Sequence, residues 1–190
     1  WNTCYISKEV VNVVLALIAP YTKEIKIGTL FSGIGAFEEA LYQLDIPHTI
    51  KFACDNGEIE LIPLDINERR EYKKLDKKSK TLSEEEKERY TYLRGKVDGA
   101  IEHIRAYVKL LHDKEQAHRY VSRIYKMYGA DKENFMKKSY CANYKIEKND
   151  FYTDVRFLDG DLYANDVDIM VGGSPCQSFS TYGKKLGLED

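Results

Sequence analysis

Apolar positions change their spacing three times along this chain. Over residues 25–56 short apolar runs flank a helical stripe. IKIGTLF reads as a strand, SGIGAFEEALYQL as a turn and helix, and TIKFACDN as a second strand. Ile34, Phe37, Leu41 and Leu44 recur every three or four residues and predict one apolar helix face. The same texture returns over 151–180, where Val167–Val171 reads as a buried strand running into GGSPCQSFS. The stretch between, 60–148, is rich in Lys, Glu and Tyr. There Ser83-x-x-Glu86 predicts a capping box. Tyr90, Leu93, Val97, Ile101, Ile104, Val108 and Leu111 then form one stripe, in a helix that Gly95 and Gly99 weaken. A second stripe, Val121, Ile124, Tyr125 and Tyr128, ends at Gly129, a suitable C-cap. Residues 1–24 read as one apolar helix ending near Pro20. The expected organisation is an N-terminal helix at 1–24, an α/β domain in two pieces at 25–59 and 149–190, and an inserted helical hairpin at 60–148.

Composition narrows the class. A chain of 190 residues with 43% hydrophobic residues suits one globular domain, and 32% charged residues fit the polar middle stretch. The net charge of -2 lacks the basic footprint of a freestanding duplex-DNA binder. Arg69, Arg70, Lys73, Lys74, Lys77, Lys78 and Lys80 form a local basic cluster, read either as a solvated face or as a contact for DNA phosphates. Four scattered cysteines without a C-x-x-C pair point to a reducing compartment and to no metal site. The apolar run Val10–Ala19 is too short to span a bilayer, so a cytoplasmic location is expected.

Three pieces carry chemistry. Phe31-Ser32-Gly33-Ile34-Gly35-Ala36 is a glycine-rich turn between a strand and a helix, where a ligand can approach the backbone and the helix N-terminus. A strand-to-helix turn without ligand has the same appearance. The dinucleotide fingerprint requires a small residue where this chain has Glu38, which disfavours a nicotinamide or flavin site. Asp55 lies twenty residues beyond Gly35 at a strand end, the spacing at which a carboxylate accepts from ribose hydroxyls. Third, Gly172-Gly173-Ser174-Pro175-Cys176-Gln177 places a thiol just past an apolar strand, where active sites of open α/β sheets lie. A thiol there is an intrinsically strong nucleophile.

In that order, LFSGIGAFEEAL, ACDN and DVDIMVGGSPCQSFSTYGKKLGLED, the chain resembles the cytosine-C5 DNA methyltransferases. The resemblance covers under half of the chain, and the Pro-Cys-Gln block is its most specific part. It implies a Rossmann-like S-adenosylmethionine-dependent methyltransferase domain with a mostly parallel sheet. Phe31, Gly33, Ile34 and Gly35 would line the cofactor pocket and Asp55 would hold the ribose. Asn56 stands where members often place a larger side chain beside the adenine. Asp154-Val155 would fill the third cofactor-binding position, with its carboxylate at the adenine amino group. Cys176 would attack C6 of a cytosine flipped out of duplex DNA. The implied setting is a bacterial or phage restriction-modification system. Alternatives are a transfer-RNA cytosine-C5 methyltransferase and a non-catalytic S-adenosylmethionine-binding subunit of a split enzyme. The family's base-engaging Glu-Asn-Val stretch and DNA-reading domain follow the Pro-Cys block, so the remaining part is expected on the same polypeptide or a second subunit.

Overall fold

The computed structural model describes residues 24–79 and 81–173. The helix expected at 1–24, Lys80 and the Pro-Cys-Gln block with Cys176 lie outside the described residues. Strand β1 (Ile25–Leu30) leads through the glycine turn into helix α1 (Ala36–Gln43), and strand β2 (His48–Cys54) follows. Four helices come next, α2 (Ile66–Lys77), α3 (Glu84–Leu111), α4 (Lys114–Met127) and α5 (Phe135–Asn143). A 3-10 turn (Lys148–Asp150), strand β3 (Phe151–Tyr152), two further 3-10 turns and strand β4 (Ile169–Gly172) complete the described chain.

All strand pairs are parallel and the sheet order is β3-β2-β1-β4. This is an α/β, Rossmann-like arrangement. Its topological switch lies between β1 and β4, because the chain winds outward from β1 on both sides. The C-terminal ends of these two strands are Leu30 and Gly172, which lie opposite each other in register. Ile25, Ile27 and Leu41 form the core between β1 and α1, with Phe37 packed against it. Ile34 and Leu44, expected on that apolar face, are exposed. Helix α1 begins only at Ala36, so Ile34 belongs to the turn. The fully buried position of this helix that periodicity missed is Glu38.

The inserted stretch has more elements than the predicted hairpin. Its two stripes are as expected: Leu93, Val97, Ile101, Ile104 and Val108 are buried on α3, and Val121, Ile124 and Tyr125 on α4. The capping box at Ser83 and Glu86 opens α3, and Gly129 follows α4 with φ 62°. Leu61, Ile62, Leu64, Leu75 and Phe157 join these residues in one cluster, which adds α2 to the packing. Gly95 and Gly99 do not break α3. A Cβ at either would meet nothing within 4 Å, so both lie on its open side. The roughly 1 kcal/mol that each costs relative to alanine is offset by five buried apolar side chains on the other face. The basic cluster on α2 is partly absorbed. Arg69 donates to the carbonyls of Leu64 and Tyr128, and Lys78 lies 3.7 Å from Glu86. Its acidic neighbours Glu68 and Glu71 pair with Lys96 and Arg89 of α3.

Helix α5 fastens the inserted stretch to the sheet. Tyr140 is fully buried with Ala53 and Phe151. Its hydroxyl donates to Glu38 Oε1 at 2.5 Å, as does Thr29 Oγ1. Tyr144, just past α5, donates to the Gly35 carbonyl at 2.7 Å. Gly35 has φ 92°, and a Cβ there would collide with the Tyr144 ring. Gly35→Ala is therefore expected to lose ~1–2 kcal/mol to the left-handed backbone alone and more to the ring. Adding Tyr144→Ala should recover only the second part, as denaturant unfolding of the single and double variants will measure. Equal stability of Gly35→Ala and the parent chain would contradict the close approach.

Candidate functional site

Of the sequence-predicted site residues, those that are described lie at the C-terminal ends of β1, β2 and β3, and Cys176 lies outside the described residues. Phe31 and Gly33 both have positive φ, 53° and 55°, so the chain reverses sharply after β1. Ser32 N–H donates to the Cys54 carbonyl at 3.0 Å, which extends the β1–β2 ladder by one bond. Gly35 N–H donates to the Ser32 carbonyl at 2.9 Å and closes the turn.

Asp55 ties this turn to β2. One carboxylate oxygen accepts from Gly33 N–H at 2.8 Å and the other from Gly57 N–H at 2.8 Å. Its own N–H donates to the Tyr152 carbonyl at 3.0 Å, and its carbonyl accepts from Asn134 Nδ2 at 2.8 Å. The carboxylate thus connects the glycine turn with the loop after β2. Each of its oxygens retains a second lone pair for a ligand hydroxyl.

Asp154 is placed differently from what the resemblance implies. Its side chain is buried and turned inward. One oxygen accepts from Tyr125 Oη at 2.9 Å, and Arg156 donates to both oxygens from its guanidinium and to one from its backbone N–H. The carboxylate is therefore spent on Tyr125 and Arg156. Val155 beside it is 37% exposed. Asn56 is exposed, and its Oδ1 accepts from Glu58 N–H at 3.0 Å.

Whether these residues fit an adenosyl-type cofactor can be judged from what they leave open. Phe31 and Ile34 present apolar side chains to the outside at 41% and 57% exposure. Gly33 has nothing within 4 Å of where a Cβ would be, so a ligand can approach its backbone. The buried Ser32 hydroxyl has no hydrogen-bond partner among the described residues. Apolar cover, bare backbone and an unsatisfied hydroxyl beside an anchored carboxylate suit a ligand with an apolar body and several hydroxyls. The fit is good.

Cys54 is the described thiol at this end of the sheet. Cys54 is 3% exposed at the end of β2. Burial pushes its thiol up to about 12, and the nearby Asp154 and Asp55 carboxylates add to the shift. It is a structural thiol and no nucleophile at neutral pH. Cys176 follows Gly173, the last described residue after β4, by three positions.

Sequence reasoning missed Glu38, Tyr140, Tyr144, Asn134 and Tyr125 as supports of this site. The one available signal was Glu38, a carboxylate at a position where the glycine-turn pattern favours a small residue. Among the described residues no helix is long and apolar enough to cross a membrane.

Comparison with known proteins bears on the C-terminal part of the chain and on short stretches of it. The family model of C-5 cytosine-specific DNA methylases matches residues 122–190. The chain is 35% identical over 77 residues to the orphan methyltransferase M.SPRI of Bacillus phage SPR, covering 40% of this chain and 17% of that protein. It is 57% identical over 37 residues to the type II methyltransferase M.Eco47II of Escherichia coli, covering 20% and 9%. With the type II methyltransferase M1.ScrFI of Lactococcus lactis subsp. cremoris it shares 37% identity over 68 residues, covering 36% and 16%. The matched stretches thus span less than a fifth of these relatives. No solved structure matches the chain.

The burial of Cys54 is directly measurable. In the folded chain at pH 8, Cys54 is expected to resist iodoacetamide, with site-resolved mass spectrometry reading the label. It should react readily once the chain is unfolded in urea. Native labelling of Cys54 at the rate of a free thiol would show that its burial is wrong.

Proposed function

We propose that this chain is the cofactor-binding and nucleophile-bearing part of a DNA (cytosine-5-)-methyltransferase. The observation that carries this reading is that Asp55 at the end of β2 holds the glycine turn after β1, next to the switch point of a parallel sheet whose β4 precedes Gly173-Ser174-Pro175-Cys176-Gln177 in the sequence. The DNA methylase match over 122–190 supports it, because that match contains the Pro-Cys-Gln block.

Phe31, Gly33, Ile34 and Gly35 line the pocket for S-adenosylmethionine, and Asp55 accepts from its ribose hydroxyls. Asn56 and Val155 border the adenine side, with Asp154 acting through the Tyr125 hydroxyl that it holds. When bound, S-adenosylmethionine supplies an electrophilic methyl group. Cys176 provides the other half of the chemistry. C5 of cytosine is a poor carbon nucleophile until the Cys176 thiolate bonds to C6. The electron pair of the C5–C6 double bond then becomes available at C5. After methylation, loss of the C5 proton and breakage of the S–C6 bond restore the ring and release the thiolate. The base is reached only outside the stack, so duplex DNA with a flipped cytosine is the substrate.

A group that engages N3 of the flipped base, and a surface that reads base edges, belong in this reading to the remaining part of the enzyme. That part is supplied by the same polypeptide or by a second subunit. The net charge of -2 supports this division, since these residues alone give little electrostatic grip on a duplex. Relatives named as phage orphan and bacterial type II methyltransferases support a bacterial or phage restriction-modification setting.

In the complete enzyme, Cys176→Ser is expected to abolish tritiated methyl transfer and covalent trapping on 5-fluorocytosine DNA, while calorimetry still detects S-adenosylmethionine. Asp55→Ala should weaken cofactor binding by ~1.5–3 kcal/mol, the loss of a hydrogen bond to a charged group. Retained turnover in Cys176→Ser would overturn the assignment of the nucleophile. Methyl incorporation into transfer RNA and not into DNA would overturn the substrate.

A further inference from the structure

The strand ends that carry the exposed Asn56 and the half-buried Thr153 lie beside the helical stretch. Helix α4 and the segment leading into α5 stand over them and enclose a cavity of about 150 Å³. Asn56 and Thr153 border it from the sheet, and Val121, Ser122, Tyr125 and Asn134 from the inserted stretch. We propose that the helical insertion supplies the adenine-facing wall of the cofactor pocket, with Ser122 of α4 at its rim. This rests on the cofactor reading above.

Position is the first argument. Asn56 directly follows Asp55, and Tyr125 hydrogen-bonds the carboxylate of Asp154. A ligand lying across the glycine turn with its ribose at Asp55 therefore has its far end directed here. Size is the second. Whole drug-sized ligands occupy roughly 300–1,000 Å³, so a cavity of about 150 Å³ suits one ring system and not the whole cofactor. Lining is the third. Val121 and Tyr125 offer apolar and aromatic surface to the faces of a purine, Ser122 and Thr153 offer hydroxyls to its edges, and Asp131, Lys132 and Lys137 share the lining. Asn56 provides little surface of its own, being small and exposed with its Oδ1 held by Glu58 N–H.

The wall is also fixed to the cofactor-binding loops. Asn134 Nδ2 donates to the Asp55 carbonyl at 2.8 Å, and its Oδ1 caps α5 by accepting from Lys137 N–H at 2.9 Å. A Cβ on Gly57 would collide with that same Oδ1. The inserted stretch and the Asp55 loop are thus in contact through backbone and side chain. A wall held in this way is set before the ligand arrives, which lowers the ordering cost of binding.

Ser122 is exposed, so a large substitution there should leave folding intact while filling the cavity mouth. In the intact protein, Ser122→Trp is expected to weaken S-adenosylhomocysteine binding by calorimetry at least about tenfold. As a second probe, Ser122→Cys should be alkylated by N-ethylmaleimide and protected about tenfold or more by saturating S-adenosylhomocysteine, read at that site by mass spectrometry. If the parent binds the ligand while Ser122→Trp binds it equally well, or the thiol introduced by Ser122→Cys is not protected, the wall is assigned wrongly and the cofactor reading stands. If the parent itself binds neither S-adenosylmethionine nor S-adenosylhomocysteine, the cofactor reading fails and this inference with it.

Discussion

The two hydrogen bonds that Asp55 accepts from Gly33 and Gly57 hold the rest of the site in place. Parallel strands end in loops that have no ladder to keep them together. Here one carboxylate replaces that ladder, accepting from backbone N–H groups of two separate loops. Charge-assisted bonds of this kind are about twice as strong as neutral ones. Both donors are glycines with positive φ, so each backbone can turn its N–H toward the carboxylate without a side chain in the way. The same residue continues the main-chain pairing to β3 through Tyr152 and receives Asn134 from the insertion on its carbonyl. A change at Asp55 therefore affects loop geometry as well as any ligand contact.

Glu38 carries the second constraint, from beneath the glycine turn. Removing a carboxyl group from water is costly unless hydrogen bonds replace the lost hydration. Thr29 of β1 and Tyr140 of α5 both donate to its Oε1, while Oε2 has no partner among the described residues. The arrangement joins β1, α1 and α5 at one buried polar point. Apolar packing has no direction, whereas this point accepts only one placement of α5. Tyr144 then reaches Gly35 one turn further on. The insertion is thus oriented against the turn by polar contacts, although its own cohesion comes from the apolar cluster around Leu93 and Ile104.

These contacts explain what could and could not be read in the chain. β1, β2 and β4 were legible because a buried parallel strand is a short apolar run, and α3 and α4 because each carries a long stripe with a cap. Helix α2 was not legible. Its Lys and Arg run hides a single buried position, Leu75, and its partners are charged residues of α3 that lie far along the sequence. Helix α5 buries one tyrosine, so no periodicity announces it. β3 has two residues, too few for any pattern. Phe31, Gly33, Ile34, Gly35, Asp55 and Asn56 were singled out from a glycine-rich turn, a strand-end carboxylate and a family resemblance, and they lie on two neighbouring loops that Asp55 joins. Asp154 was legible as a position but not in its orientation, since the Tyr125 that engages it lies 29 residues away.

The inward turn of Asp154 changes how a cofactor site can be built on this sheet. A carboxylate exposed at the end of β3 would reach a ligand directly, with water competing for it. Here Arg156 neutralises the charge and Tyr125 takes one oxygen, so the group becomes a fixed anchor for α4. Burial holds the Tyr125 phenol well above its usual range, with the Asp154 charge adding to the shift, so the hydroxyl keeps its proton and remains a donor to that oxygen. The helix position that faces the cavity is thereby set by a bond made within the protein. On the proposed reading, a short Asn56 is tolerable on such a scaffold, because α4 would offer the surface that a larger residue would otherwise give. The insertion and the small residue at 56 would then be two parts of one solution.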